Sequence, residues 1–344
     1  MGEYSRSSAI ARAVSRRWST AAIHFILSRQ APYAADTAFP ATLVASSPTF
    51  HSAAVIGVLE KLRPDIVIFD NAGRTAQLRA AKRLGARVVF VSARRRQRGR
   101  AFRFTWMRLL DEHWIAYPEF IAGGLGFAER LKLRILRRPA VRYLDVILSQ
   151  AEPADRAAIL ARLGCAAGSY VLVVPGGGTG HPGAGDAVQR FLAAARSLAA
   201  SGIPTVFVGP AVPANGGTAD ALGDLNLRRL GPLPQRDLSA LMRSARLIVA
   251  NGGSTLLQGI ACGRACVAIP IAQDQVERIR RCVARQVAVP AALDSADIVR
   301  AASGLLQNEA ARSALARRAC ELALTDGIEV ALRAIERLFE PATG

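Results

Sequence analysis

A short polar turn, Asn251-Gly252-Gly253-Ser254-Thr255, interrupts an otherwise apolar stretch of the chain. The strand-like segment ARLIV (245–249) precedes it, and LLQGIAC (256–262) follows as a short apolar helix that Gly263 closes. Adjacent glycines let a backbone approach a ligand, and the Ser/Thr pair offers hydroxyls and N-cap acceptors beside the unpaired N–H groups of a helix N-terminus. The pattern predicts a diphosphate site; the alternative is an ordinary turn that only caps its helix.

A second glycine-rich loop follows the apolar strand predicted at 170–174. It contains Gly177, Gly178, Thr179, Gly180 and His181. Successive glycines at the end of a strand suit a phosphate-approaching turn, but the loop lacks the Lys-Ser/Thr of the mononucleotide loop and the dinucleotide spacing, which disfavours ATP and NAD. His181 is a candidate to bind a diphosphate or to donate a proton to it, although a lone loop histidine more often does neither.

Asp70 ends the apolar strand predicted at 66–69. Ligands of α/β folds lie at the carboxyl ends of strands, so Asp70 is a candidate base or acceptor ligand. An Asp that caps the next helix is an equally good interpretation.

The stretch from 245 to 275 resembles a known motif. Its Gly-Gly-Ser-Thr turn, the segment ACGRACVAIP and the closing Ala-Gln-Asp-Gln are similar to the donor-binding motif in the C-terminal domain of glycosyltransferase family 28. That family includes the N-acetylglucosaminyltransferase of peptidoglycan synthesis, and its relatives include the UDP-sugar hydrolase of pseudaminic acid synthesis. The residues of the motif in this chain are more similar to those of the hydrolase. The resemblance is clear over 170–289, and it implies an α/β fold of two doubly wound Rossmann-like domains facing a cleft (GT-B).

The resemblance also implies roles for individual residues. The donor diphosphate would lie over 252–255 and 177–180, and the nucleotide base would meet Leu233. The ribose would lie at Gln258, where the family has Glu, and the sugar hydroxyls would meet Asp274 and Gln275. Glu3 stands where the family has a histidine proposed as catalytic base, although an acid at a helix N-terminus is also favoured by the helix dipole alone.

The order of elements suggests the domain boundaries. A helix pattern at 5–17 precedes the first predicted strand, 21–27, so we expect the first domain to start one strand late. We expect an acceptor- or membrane-facing domain over 1–150, a donor domain over 151–326 and a terminal helix, 327–344, that returns to the first domain. At 344 residues the chain is long enough for two domains with a core each.

Composition narrows the functional classes. No run approaches the 18 or so apolar residues of a spanning helix, and no secretory signal begins the chain, so a cytoplasmic protein is expected. The cysteines lack paired metal-ligand spacing and no Asp-x-Asp motif is present, so we expect no metal and no cofactor.

The net charge of +19 is uneven, because residues 1–150 hold 25 Lys and Arg against 10 Asp and Glu. Arg94–Arg100 is followed by Phe102, Phe104 and Trp106, and 131–142 is also basic and apolar. Such segments favour an anionic membrane surface, so the protein is expected at the inner face of the cell membrane. A solvated arginine cluster is the alternative, and no specific nucleic-acid motif accompanies them.

These observations favour a metal-independent glycosyltransferase that moves a sugar from a nucleotide diphosphate, such as a UDP-sugar, to a cell-envelope polysaccharide or lipid-linked glycan. Glu3 or Asp70 would deprotonate the acceptor. A nucleotide-sugar hydrolase with the same donor site is the first alternative. A non-catalytic polyanion-binding protein is the second.

Overall fold

The computed structural model describes residues 2–34, 37–148, 152–176, 184–210 and 226–340. The chain divides into two compact units, Met1–Ile147 with Thr325–Gly344, and Leu148–Leu324. The predicted residues 177–181 lie outside the described ranges.

Both units alternate strands and helices. The first unit begins with α1 (Gly2–Arg17), β1 (Phe25–Ser28), β2 (Ala41–Val44), α2 (Ser52–Leu62), β3 (Ile66–Asp70), α3 (Thr75–Arg83), β4 (Arg87–Ser92), α4 (Arg95–Ala101), α5 (Phe104–Met107), β5 (Glu112–Ile115), α6 (Glu119–Ala122), α7 (Phe127–Leu136) and β6 (Ala140–Tyr143). The second unit holds α8 (Pro153–Leu163), β7 (Val171–Val174), α9 (Ala184–Ala200), β8 (Thr205–Val208), β9 (Leu227–Leu230), α10 (Gln235–Ser244), β10 (Leu247–Asn251), α11 (Ser254–Ala261), β11 (Cys266–Ile269), α12 (Gln273–Ala284), β12 (Val289–Pro290), α13 (Ser295–Gln307) and α14 (Glu309–Glu321). The last helix, α15 (Gly327–Phe339), belongs to the first unit.

The first unit is built on a parallel sheet of β3, β4, β5 and β6 in that order, while β1 and β2 pair in a separate parallel sheet. Alternate residues of a strand point to opposite faces. Accordingly Phe90 of β4 packs with Leu78 of α3 on one face, and Val91 packs with Ile10 of α1 on the other. Helices therefore cover both faces of β4.

The apolar segment 143–148 suggests a strand from its sequence, but only Tyr143 lies in one. The strand there is β6, which ends at Tyr143, and beyond it only Val146 makes an isolated bridge, to Asp326. Leu144 is buried because α15 packs on it through Ala331 and Ala334, so its apolar side chain reflects helix packing. Val146 is also buried. Strand β2, at 41–44, has too few apolar residues in alternation to be predicted.

The second unit has one six-stranded parallel sheet in the order β12-β11-β10-β7-β8-β9. Its first strand in sequence, β7, therefore lies in the middle, and the order runs outward from β7 to β8 and β9 and from β10 to β11 and β12. The switch of direction lies between β7 and β10. In open α/β sheets, ligands bind outside the carboxyl ends of the strands at this switch point.

Candidate functional site

The turn 251–255 follows β10 at the switch point of the second sheet. Strand β10 is completely buried and pairs with β7 and β11 on its two sides, so its carboxyl end is fixed from both directions. The neighbouring strand β7 ends in Pro175-Gly176. The sequence motif that resembles a donor site thus occupies the position where this sheet type binds ligands.

Asn251 shapes the turn from within. Its Oδ1 accepts a hydrogen bond from the Gly253 N–H (3.2 Å), and the residue is 7% exposed. Gly176 has φ +85°, and a side chain there would overlap the amide of Asn251. The two loops are therefore in contact, and Asn251 acts as their support rather than as an exposed ligand group.

The N-cap of α11 is Gly253, with φ −84° and no side-chain cap hydrogen bond. The prediction that Ser254 or Thr255 would cap the helix is therefore wrong, since both already have helical positions. The first N–H groups of a helix have no partner within it and carry the positive end of the helix dipole. Gly253 is half-buried and Ser254 exposed, so this end of α11 is open to an anion.

Gly252 joins the turn to α12. A Cβ on Gly252 would lie 2.6 Å from Cδ1 of Ile279 and 3.0 Å from Cβ of Gln275. The Gly252 carbonyl accepts a hydrogen bond from Nη1 of the buried Arg278 (2.6 Å). Loops after three adjacent strands, β7, β10 and β11, therefore meet at one place.

The sugar and ribose residues of the expected site differ in exposure. Asp274 is 71% exposed, with Oδ2 3.3 Å from Nη2 of Arg278. Gln275 is buried and its Oε1 accepts the Ile271 N–H (3.0 Å), which holds the start of α12. Gln258 is also buried, on α11. Among these three residues, Asp274 presents the most polar surface to a ligand.

Leu233 lies half-buried between β9 and α10, at the other end of the sheet from β12. The loop with Gly177, Gly178, Thr179, Gly180 and His181 lies outside the described residues, but it continues directly from Gly176.

Asp70 ends β3 in the first unit and is held by α1. Its Oδ2 accepts hydrogen bonds from Nε of Arg6 (3.1 Å) and the Ser7 hydroxyl (2.8 Å), and its Oδ1 pairs with Nη2 of Arg6. The carboxylate is 11% exposed. Burial raises the pKa of Asp70, and the Arg6 guanidinium and the Ser7 hydroxyl oppose that rise. Asp70 therefore anchors α1 to the sheet.

Glu3 lies on the same helix, one turn before Ser7, and is exposed. Its Oε1 accepts a hydrogen bond from Nδ2 of Asn71 (2.7 Å), while Oδ1 of Asn71 accepts the Ala93 N–H (2.7 Å). Asn71 has a positive φ of 52°, a conformation that Asn tolerates better than most residues. The structure thus brings Glu3 and Asp70 to one end of β3, with Glu3 as the accessible carboxylate.

Aromatic rings border this carboxylate pair. Tyr4 stacks on Tyr33, with ring centroids 4.1 Å apart, and contacts Phe25 edge to face. Burial and the nearby charge of Glu3 raise the pKa of Tyr33. Nothing local in the sequence marks Arg6, Asn71 and Tyr33 as part of this group, because these residues meet only in the folded chain.

The basic stretch 94–100 is not the continuous surface that the sequence suggests. Arg98 is buried, its Nη2 pairs with Oε2 of Glu129 (2.6 Å), and its guanidinium donates to the Gly123 (2.6 Å) and Gly124 (2.8 Å) carbonyls. Trp106 is also buried. The interpretation of this whole segment as membrane-facing is therefore wrong for these two residues, which hold the fold.

The described residues contain no cluster of three or more His, Cys, Asp or Glu side chains that could hold a metal ion. Within the same ranges, no helix has both the length and the apolar character needed to cross a membrane.

No protein-family model matches the sequence. No curated protein sequence matches it either.

Solved structures do match. UGT2 of Phytolacca americana, solved in complex with UDP-2-fluoro-glucose and pterostilbene, gives a TM-score of 0.67 at 14% identity over 99% of this chain and 98% of its own. MurG of Acinetobacter baumannii gives 0.59 at 16% identity over 98% and 96%. A putative UDP-N-acetylglucosamine 2-epimerase of Listeria monocytogenes gives 0.54 at 16% identity over 93% and 97%. At this level of identity the likeness establishes the fold, which is the two-domain α/β fold called GT-B.

Proposed function

We propose that the protein is a glycosyltransferase that moves a sugar from a nucleotide diphosphate, such as a UDP-sugar, to a cell-envelope polysaccharide or lipid-linked glycan. The observation that carries this proposal is the open N-terminus of α11 at the switch point of the second sheet. The solved GT-B structures include complexes with UDP and a UDP-sugar, which supports the same ligand class. The finer resemblance to family 28 rests on the sequence motif alone.

In this proposal the donor diphosphate binds the N–H groups of Gly253, Ser254 and Thr255. Backbone N–H groups at a helix N-terminus stabilise the negative charge that grows on the leaving diphosphate, without a metal ion. The loop 177–180 would approach the same phosphates, and His181 would bind them or donate a proton. Gln258 would bond the ribose, and Leu233 would contact the base.

The reaction needs a base for the acceptor. The acceptor oxygen attacks the anomeric carbon, the bond from that carbon to the diphosphate oxygen breaks, and the hydroxyl proton passes to a carboxylate. Glu3 suits this role better than Asp70, because Asp70 is already occupied by Arg6 and Ser7. Asp274 is exposed, unlike its neighbour Gln275, and would hold a sugar hydroxyl.

A thermal-unfolding screen tests the proposal. A ligand that binds only the folded state at 100 times its Kd stabilises it by about 2.7 kcal/mol, so UDP and UDP-sugars should raise the unfolding temperature. A search for sugar release without an acceptor then separates a hydrolase from a transferase. If no nucleotide diphosphate or nucleotide sugar stabilises the protein, the proposal is wrong.

Replacing Gln258 should weaken the donor without removing it. We expect Gln258→Ala to lower the affinity for a ribonucleoside diphosphate by about 1–2 kcal/mol, the scale of one or two neutral hydrogen bonds. Calorimetry with UDP and with its 2′-deoxy analogue measures this. The parent should prefer the ribose form and the variant should not; equal affinities of the parent for both forms would contradict the ribose role.

A surface of α7 supports a membrane as partner. Phe127, Leu131 and Ile135 are 76%, 46% and 64% exposed and follow each other at four-residue spacing, which places them on one helix face. Lys132 lies over the ring of Phe104, itself 47% exposed, at 5.3 Å. Exposed arginines at 130, 134 and 137 accompany this apolar face. Apolar and basic groups together are typical of a helix that lies on anionic lipid.

Changing Phe127 and Leu131 to Ser should release the protein from anionic vesicles. Each apolar side chain that leaves the lipid costs about 1.5–3 kcal/mol, so binding should fall by at least about 100-fold. Phe50 and Leu62 form a matched control, because they are the same residue types with 71% and 45% exposure. Co-sedimentation at low salt is the measurement; an equal loss in the control pair, or no binding by the parent, would contradict the membrane surface.

A further inference from the structure

A cavity of about 290 Å³ lies in the first unit between the starts of α3 and α5 and one face of α4. Four guanidinium groups line it, together with a hydroxyl and an indole: Arg74, Arg96, Arg100, Arg103, Thr75 and Trp106. The cavity lies near the carboxyl ends of β3 and β4, because α3 and α4 follow these strands directly. This is the edge of the sheet where α/β units bind ligands.

Local structure explains why these arginines converge. Arg96 and Arg100 are four residues apart on α4 and therefore share a helix face. Arg74 and Arg103 are the N-cap residues of α3 and α5. Trp106 is buried, its Nε1 donates to the Thr75 hydroxyl (3.0 Å), and the Arg100 guanidinium lies 5.5 Å from its ring centroid. The indole thus joins α5 to α3 beneath the cavity.

The four cavity arginines lack the carboxylate partners, within the described residues, that other arginines of the first unit have. Arg6, Arg98 and Arg142 each pair with a carboxylate of the first unit. Within the described ranges, no carboxylate lies at ion-pair distance from any of the four cavity arginines. Burial and the charges of Arg74, Arg103 and Arg96 lower the pKa of Arg100. An anion bound among these guanidinium groups would relieve the repulsion between their like charges.

We propose that this cavity binds the diphosphate group of a ligand. Arginine forms paired, charge-assisted hydrogen bonds with phosphate oxygens, and four guanidiniums in one concave site match a compact group with several negative charges. A nucleic-acid strand would instead call for basic groups spread along a groove. The identity of the ligand rests on the proposed function, under which the diphosphate belongs to a lipid-linked acceptor. The existence of an anion site in this cavity does not depend on that function.

Calorimetry with inorganic pyrophosphate tests the site, using the full chain in a Gly253→Val background so that the second unit's turn does not contribute. Arg96→Gln with Arg100→Gln should weaken binding by roughly 100-fold, since each lost charged hydrogen bond costs about tenfold or more. Arg94→Gln with Arg95→Gln removes the same charge from the start of α4 but outside the cavity. This pair should change affinity by about twofold or less, because these side chains do not line the site and attract an anion there only through screened, longer-range charge. Arg96→Gln with Arg103→Gln is the second test pair, since it leaves the Arg100–Trp106 contact in place.

Three results would overturn the proposal. The first is no pyrophosphate binding at low salt by the Gly253→Val protein, and the second is an equal loss of affinity in the cavity and control pairs. The third is displacement of pyrophosphate by a single-stranded oligonucleotide whose binding both pairs weaken equally. The last would indicate a diffuse polyanion surface. Farnesyl diphosphate identifies the source: tighter binding than pyrophosphate supports a lipid-linked diphosphate, and equal binding supports a free one. Failure of UDP to bind the parent with its turn intact would contradict the donor site and leave this result unchanged.

Discussion

Gly253→Val should abolish donor binding while the second unit remains folded. The backbone of Gly253 has φ −84°, which any residue can adopt, and a Cβ there would lie 3.0 Å from Oδ1 of Asn251. The branched side chain would stand directly before the open N–H groups of α11, in the space proposed for the diphosphate. We expect the affinity for UDP to fall by more than about 100-fold, that is, by about 2.7 kcal/mol or more.

Two other glycines serve as controls for this variant. Gly252→Ala would place its Cβ 2.6 Å from Ile279, so it should overpack the contact with α12 and cost about 1–3 kcal/mol of stability. Gly304→Val lies on α13 with no atom within 4 Å of its Cβ, so UDP affinity should stay unchanged. Calorimetry and thermal unfolding of the three variants separate binding from folding. Unchanged affinity of Gly253→Val for every nucleotide diphosphate that binds the parent would remove this turn from the site.

Glu3→Gln should lower the turnover number by about 10²- to 10⁴-fold, the usual contribution of a general base. Donor affinity should not change, because the donor turn lies in the second unit. The fold should remain stable, since the Gln oxygen can still accept the hydrogen bond from Asn71. Initial rates at saturating donor and acceptor, with the unfolding temperature of the same sample, measure both quantities.

Asp70→Asn separates the two carboxylates. Removal of this charge leaves Arg6 buried without its partner, and breaking a buried ion pair typically costs about 3–5 kcal/mol. We therefore expect a large loss of stability in the first unit. If instead Asp70→Asn folded like the parent and lost turnover, while Glu3→Gln kept it, the assignment of the two residues would be reversed.

The amino-acid sequence determined the fold class and part of the secondary structure. The apolar run 205–208 coincides with β8, and the apolar spacing on one face of 187–200 marks the helix observed as α9, which starts three residues earlier. Regular alternation of strands and helices predicted the α/β class, and the comparisons with solved structures confirm it. Such local patterns are reliable because each element must bury one face, and the period of the apolar residues records that face.

The turn proposed to bind the donor was also visible in the sequence, because glycines and hydroxyl residues between a strand and a helix form a local pattern. The structural role of each residue in and near this turn was not visible in the sequence. Asn251 supports the turn from inside and Gln275 accepts the Ile271 N–H ahead of α12, while Asp274, next to Gln275, is exposed. These differences depend on the packing of α12 against Gly252, which is a contact between segments distant in sequence.

The basic stretch 94–100 shows what only the tertiary structure decided. Its arginines look equivalent in sequence, yet Arg98 is a buried partner of Glu129, and Arg96 and Arg100 line a cavity that Arg94 and Arg95 do not. Helical geometry separates them, because residues four apart share a face and residues two apart do not. Glu129 pairs with Arg98 and Trp106 contacts Arg100, and both partners lie on other helices, so the sequence of α4 does not show which of its faces is covered. Charge in the sequence therefore predicted an anionic partner but not its place.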